Sequence, residues 1–362
     1  MLFVLLLLAL PVGQILPDVK CAADASQSYA LYLPSNYTAD RAWPVILGFD
    51  PGGRGGNAVE RYQAAAEQYG YIIAGSNNSR NGSPETGKAA ASMANDVFSR
   101  FRIDPKRVYT AGMSGGARVA FSVALSSFKI AGVFASSAGY PDGKSRTTLP
   151  FPVFATAGTD DFNHWEMRQL DHDLTSPHYL AIFSGPHVWL SSELAVTAIE
   201  WMEIQAMKSG VKARDEMEID RILAKRQTAA NQNQGDKDTF LALQSIASDF
   251  KGLRDVSAVA ARATQLGKSK AVRDGLKKDT EEDEREIQML QSIWSAETRL
   301  AEPSDRAGAL ADLRQRLKKL SEQAKQPEDS SQRRLARRTL SGLRAGGHTA
   351  DQEYLKMIRE YR

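Results

Sequence analysis

The chain has 362 residues, 42% of them hydrophobic and 25% charged, and a formal net charge of +3 at pH 7. That is the composition of a soluble globular protein long enough for two domains, and so small a charge gives no case for a nucleic acid or an anionic membrane as partner. The charge is unevenly spread: residues 1–210 carry 34 charged side chains and residues 211–362 carry 55, so two kinds of sequence meet near MKSGVKARDE.

The opening MLFVLLLLAL is apolar but too short to span a bilayer. It resembles the core of a secretory signal, although no basic residue precedes it. Residues 1–13 are therefore expected to be a signal sequence, with the protein exported to the periplasm or secreted; the alternative is a buried strand. A single cysteine, Cys21, rules out an internal disulfide and a cysteine metal cluster, and is expected to be a buried or odd thiol.

From Ser28 short apolar runs alternate with amphipathic ones. SYALYLP, PVILGFD, YIIAGSNN, RVYTAGM, IAGVFASSAGY, FPVFATAGTDD and YLAIFSG read as strands. AVERYQAAAEQYG, GKAAASMANDVFSRF, ARVAFSVALSSF, HWEMRQLDHDL and SSELAVTAIEWMEIQAM read as helices, the first closed by Gly70. This alternation predicts an α/β fold, a mostly parallel sheet covered by helices on both faces, over residues 14–210. Residues 211–362 contain only runs with apolar residues at three- and four-residue spacing, separated by NQNQGDKD, AEPSD and KQPEDSS. They predict an all-helical domain, arranged either as stacked pairs in the manner of tetratricopeptide repeats or as a plain bundle.

Ligands of parallel sheets sit at the carboxyl ends of the strands, and candidate residues gather there. Gly112-Met113-Ser114-Gly115-Gly116 has the G-x-S-x-G spacing of a nucleophile elbow between strand and helix. Ser114 is equally a good helix N-cap by residue type. A nucleophilic serine needs a base, and the histidines are His164, His172, His178, His187 and His348. His172 lies inside a helical run, His178 at the amino-terminal edge of a strand, and His348 in the helical region. His187 follows a strand and precedes a helix, in SGPHVW, with His164 as a weaker rival. Asp160 and Asp161 end FPVFATAGTDD; the spacing from Gly158 favours Asp161 as the partner of His187, leaving Asp160 to cap the next helix. The order Ser114, Asp161, His187 is that of α/β-hydrolases. Oxyanion donors are expected from the amides of Gly115 and of Gly52 or Gly53 in DPGGRGG. Arg54, Asn77, Asn78, Arg80 and Trp189 also fall near strand ends and are candidates to line a pocket.

At these residues the chain resembles the α/β-hydrolase superfamily, and within it the exported esterases grouped with polyhydroxybutyrate depolymerases, feruloyl and acetylxylan esterases and dienelactone hydrolases. SYALYLPSNY with WPVILGFDPGGRG resembles their opening strands and oxyanion loop, VYTAGMSGGA their elbow, ATAGTDD their acid strand, and FSGPHVW their histidine loop. The resemblance covers roughly residues 20–207. It implies a serine ester hydrolase with Ser114, Asp161 and His187 as triad, without metal or organic cofactor. The usual His-Gly opening of the oxyanion loop is here Asp50-Pro51-Gly52. Only 47 residues separate Ser114 from Asp161, and 26 separate Asp161 from His187. These intervals leave no room for a lid domain, which implies an open, shallow site for a small or polymer-linked ester. A serine peptidase on the same fold is one alternative. The other is a non-catalytic binding protein acting through the helical region, which is also where a protein partner or a second copy would dock.

Overall fold

The computed structural model describes residues 10–127, 129–346 and 349–361. The first nine residues of the expected signal sequence, and His348, lie outside the described residues.

The strands are β1 (Ile15–Lys20), β2 (Ser28–Tyr32), β3 (Trp43–Phe49), β4 (Ile72–Ser76), β5 (Ile103–Met113), β6 (Gly132–Ser136), β7 (Val153–Gly158) and β8 (His178–Phe183). They form one eight-stranded sheet in the order β1-β2-β4-β3-β5-β6-β7-β8. β2 is antiparallel to β1 and β4, whereas β4, β3, β5, β6 and β7 pair in parallel. β8 continues the parallel set: Val153 N–H donates to the Pro177 carbonyl and, six residues on, Thr159 N–H donates to Phe183. This is the strand order and direction of an α/β-hydrolase. Every residue of β2, β3, β4 and β6 is buried, as strands covered on both faces must be.

Between the strands run α1 (Gly55–Tyr69), α2 (Thr86–Arg100), α3 (Gly115–Leu125), α4 (His164–Asp173) and α5 (Ser192–Lys208). Gly70 ends α1 at φ 70°, donating its N–H to Ala66, a left-handed cap that glycine adopts without strain. β1 has no counterpart in the sequence reading. It is an edge strand with an irregular register between Leu16 and Val19, where Pro17 is tolerated and alternation is lost. The loop after it buries Cys21 as a free thiol, and burial pushes that thiol above its ordinary value.

Beyond α5 the chain is helical: α6 (Glu216–Gln232), α7 (Asp236–Phe250), α8 (Ser257–Gly267), α9 (Lys270–Arg299), α10 (Arg306–Ala324), α11 (Ser331–Ala345) and α12 (Gln352–Glu360). Asp215, Ser269, Ser330 and Asp351 cap α6, α9, α11 and α12 with side-chain oxygens. One core gathers Ile219, Ile222, Leu243, Ile246 and Phe250; a second gathers Ile293, Leu313, Leu317, Leu340 and Tyr354. α9 alone is 30 residues long, too long for one helix of a tetratricopeptide pair of about 34 residues.

The chain divides into two compact units. The first comprises residues 1–156, 173–179 and 189–203; the second comprises 157–172, 180–188 and 204–362. The change from mixed to all-helical chain near residue 210 is therefore not where the units divide. The loops after β7 and β8 belong with the helices.

Candidate active site

In the first unit β5 runs into α3 through a single residue, Ser114, at φ 54°, ψ −125°. A non-glycine residue there stores about 1–3 kcal/mol of strain. Its neighbours explain why glycine surrounds it. A Cβ on Gly112 would overlap the Gly116 carbonyl, one on Gly116 would overlap the Phe49 carbonyl, and one on Gly115 would overlap the Asn81 side chain. Ser114 N–H is pinned to the Ser136 carbonyl at 2.8 Å. Ser114 occupies the N-cap position of α3, with its carbonyl accepting from Ala117 N–H and Arg118 N–H, but its hydroxyl makes no capping bond to the helix. Gly115 is the first residue of α3, where an N–H has no partner within the helix.

The loop after β3 is organised by Asp50, whose buried carboxylate accepts from Gly52 N–H at 2.8 Å, Arg54 Nε at 3.1 Å, Asn57 Nδ2 at 2.8 Å and Trp189 Nε1 at 3.0 Å. Burial alone would raise the pKa of this carboxyl, but the bonds from Trp189, Asn57, Gly52 and Arg54 outweigh it and hold the group below its ordinary value. Gly53 N–H in turn donates to the Asp50 carbonyl at 3.1 Å. Both amides expected to serve as the second oxyanion donor are thus engaged inside their own loop, Gly52 by the Asp50 carboxylate and Gly53 by the Asp50 carbonyl. Arg54 and Trp189 are tied to the same carboxylate. Asn77 accepts from Gly55 N–H and donates to the Pro17 carbonyl, while Asn78 accepts from Ser28 N–H, so both asparagines fasten loops. Arg80 is exposed and forms an isolated bridge with Gly52.

Asn81 was not legible as a site residue. Its N–H donates to the Pro51 carbonyl at 2.9 Å, which fixes the turn that lays its carboxamide against Gly115. The only sequence signal is its place in SRNG, just past the carboxyl end of β4.

In the second unit the loops after β7 and β8 are zipped together. Asp160 N–H donates to the Gly185 carbonyl at 2.8 Å, and Gly158 permits the approach, since a Cβ there would overlap that carbonyl. The result brings His187 Nδ1 within 2.7 Å of Asp161 Oδ1. Asp161 is fully buried; Oδ1 also accepts from Asn163 N–H at 2.8 Å, and Oδ2 has no hydrogen-bond partner among the described residues. A carboxylate only accepts, so Nδ1 carries the imidazole proton and Nε2 presents a lone pair. Phe162 stacks on the imidazole, with centroids 3.9 Å apart and planes at 27°.

Asp160 does not cap α4. Asp161 makes that turn, with its carbonyl accepting from His164 N–H, and the Asp160 carboxylate lies 3.1 Å from Arg337 Nη1. His164, the rival base, directs Nδ1 to the Gly158 carbonyl at 3.0 Å. Burial, reinforced by the charge of Arg338, lowers its pKa to about 4. His172 lies within α4, and His178 opens β8 with Nδ1 2.7 Å from the Ser176 carbonyl.

No family model matches the chain, and no curated protein matches its sequence. Solved structures similar to it include EstE1, a thermostable carboxylesterase from a metagenomic library, at 14% identity over 56% of this chain and 90% of that one, with a TM-score of 0.39. An S-formylglutathione hydrolase from Agrobacterium tumefaciens matches at 14% identity over 49% and 88%, with a TM-score of 0.38. A feruloyl esterase module from Clostridium thermocellum matches at 14% identity over 49% and 83%, with a TM-score of 0.38.

Proposed function

We propose that the protein is a serine hydrolase of carboxylic esters, small or polymer-linked, with Ser114 as nucleophile, His187 as base and Asp161 as the carboxylate that orients it. His187 Nε2 takes the hydroxyl proton as Ser114 attacks the ester carbonyl. The alcohol leaves with that proton, and water resolves the acyl-enzyme by the same route. The Gly115 N–H faces the developing oxyanion, and the Asn81 carboxamide replaces the engaged Gly52 and Gly53 amides as second donor.

The observation that carries this reading is the backbone of Ser114. A serine held at φ 54° gains no capping bond from its hydroxyl to set against the strain, the condition in which strain points to function. The Asp161–His187 pair supports it, because a buried carboxylate on Nδ1 leaves Nε2 as the basic atom.

A fluorophosphonate probe tests it on the full chain. Wild type is expected to label, Ser114→Ala and His187→Ala to lose labelling, and Asn81→Ala to label about a hundredfold more slowly, the scale of one oxyanion donor. A folded wild type that does not react overturns the assignment.

A further inference from the structure

The second unit places the Asp161–His187 pair and the helical region in one framework. The contacts between them are specific. Arg338 of α11 donates Nε to Glu286 Oε1 of α9 at 2.9 Å and Nη2 to Oε2 of the same carboxylate. Its remaining arm, Nη1, donates to the carbonyl of Thr159 at 2.8 Å, two residues before Asp161. The arginine and glutamate side chains are only 9% and 3% exposed. One turn of α11 further on stands Gly342, where a Cβ would come 3.3 Å from Phe162 Cβ; Phe162 is the ring stacked on His187. Arg337 holds the Asp160 carboxylate, so of two adjacent acids only Asp161 faces the imidazole. α4, which follows the acid loop, is fastened to α9 by a two-pronged Arg168–Asp283 pair at 2.8 and 3.0 Å.

We propose that α11, backed by α9, is a positioning element for the Asp161–His187 pair: Arg338 fixes the acid loop through the Thr159 carbonyl, Arg337 draws Asp160 away, and the surface at Gly342 sets the plane of Phe162 and with it the ring of His187. The physical case rests on burial. A desolvated ion pair that only stapled two helices together would be replaceable by apolar residues at little cost in stability. Here the guanidinium spends its third bond on a carbonyl of the acid loop, a group that is geometrically fixed and carries no charge. Arg338, Arg337 and Phe162 are thus positioning residues, acting through Asp161 and His187. The catalytic consequence rests on the reading of Ser114, Asp161 and His187 as a triad; the positioning itself does not.

The test uses the full chain and two readouts. The first is the low-field proton resonance of His187 Nδ1–H, assigned by its loss in His187→Ala, which reports the bond to Asp161 whether or not the protein turns over a substrate. The second is the kcat and KM for p-nitrophenyl acetate. The double variant Arg338→Leu/Glu286→Leu removes the pair without stranding a charge. It is expected to lose or shift the resonance and to lower kcat about a hundredfold with KM little changed, the scale of a misplaced catalytic group. Gly342→Ala favours the helix yet crowds Phe162, and is expected to shift the same resonance and lower kcat by about tenfold. A folded double variant with the wild-type resonance and kcat overturns the proposal; where that variant does not fold, the same result in Gly342→Ala overturns it. A wild type that shows the resonance but cleaves no ester sinks the esterase reading alone, and the resonance in the variants still decides the positioning role.

Discussion

Ser114 is where stability and chemistry are set against each other most directly. Its φ of 54° is a conformation glycine reaches freely and serine does not. Ser114→Gly should therefore relieve strain while removing the proposed nucleophile. Glycine also loosens the unfolded chain, so the net gain is expected to be about 1 kcal/mol, read as a higher urea midpoint with an unchanged slope. Activity should fall to background. A lower midpoint would mean that the serine side chain stabilises its turn, and the inference from strain to function would lose its basis. Much of this corner was legible in the sequence, because the glycines of GMSGG answer close approaches at the strand-to-helix turn. The occupation of the Gly52 and Gly53 amides was not, since it depends on where the buried Asp50 carboxylate points and on how the turn returns Gly53 to the Asp50 carbonyl. Loop composition records which donors exist, but not which acceptor reaches them first.

At the level of the element, α4 carries a pH response. His164 opens the helix with its ring turned to the Gly158 carbonyl, and the charges of Arg338, Arg168 and Asp283 act on it. Burial, then the charge of Arg338, takes its pKa from 6.5 to about 4. Between those values the unfolded chain binds a proton that the folded chain refuses, so stability rises with pH across that window. The contribution is complete above about pH 6.5 and is lost as pH falls towards 4, amounting to about 3 kcal/mol at most. Urea unfolding at pH 7 and pH 4.5 should show a smaller loss on acidification in His164→Gln than in wild type. Equal losses would mean that the histidine is protonated in the folded state. The place of α4 in the chain could be read from periodicity. The sequestration of Asp160 by Arg337 could not, because 177 residues separate the partners. β1 escaped for a different reason: an edge strand with a proline and an irregular register has no alternation to detect.

For the whole molecule, composition and compactness disagree about where one part ends. Charge density changes near residue 210, and a hydrolase confined to residues 14–210 follows from that change. Ile204 and Met207, at the end of α5, are instead fully buried in a core with Ile219, Ile222, Leu243, Ile246 and Phe250. Cutting the chain at 210 would bare both side chains, at about 1.5–3 kcal/mol each. It would also remove the arginines that hold Thr159 and Asp160. A loss of that size is a large part of the stability of an ordinary domain. Expressed alone, residues 14–210 are therefore expected to be insoluble or to lack a cooperative unfolding transition by circular dichroism, whereas the full chain unfolds cooperatively. A soluble fragment with a sharp transition and an intact His187 resonance would show that the helices are an appendage. The acid and histidine loops would then be self-supporting, as the abrupt change in composition suggests when it is read alone.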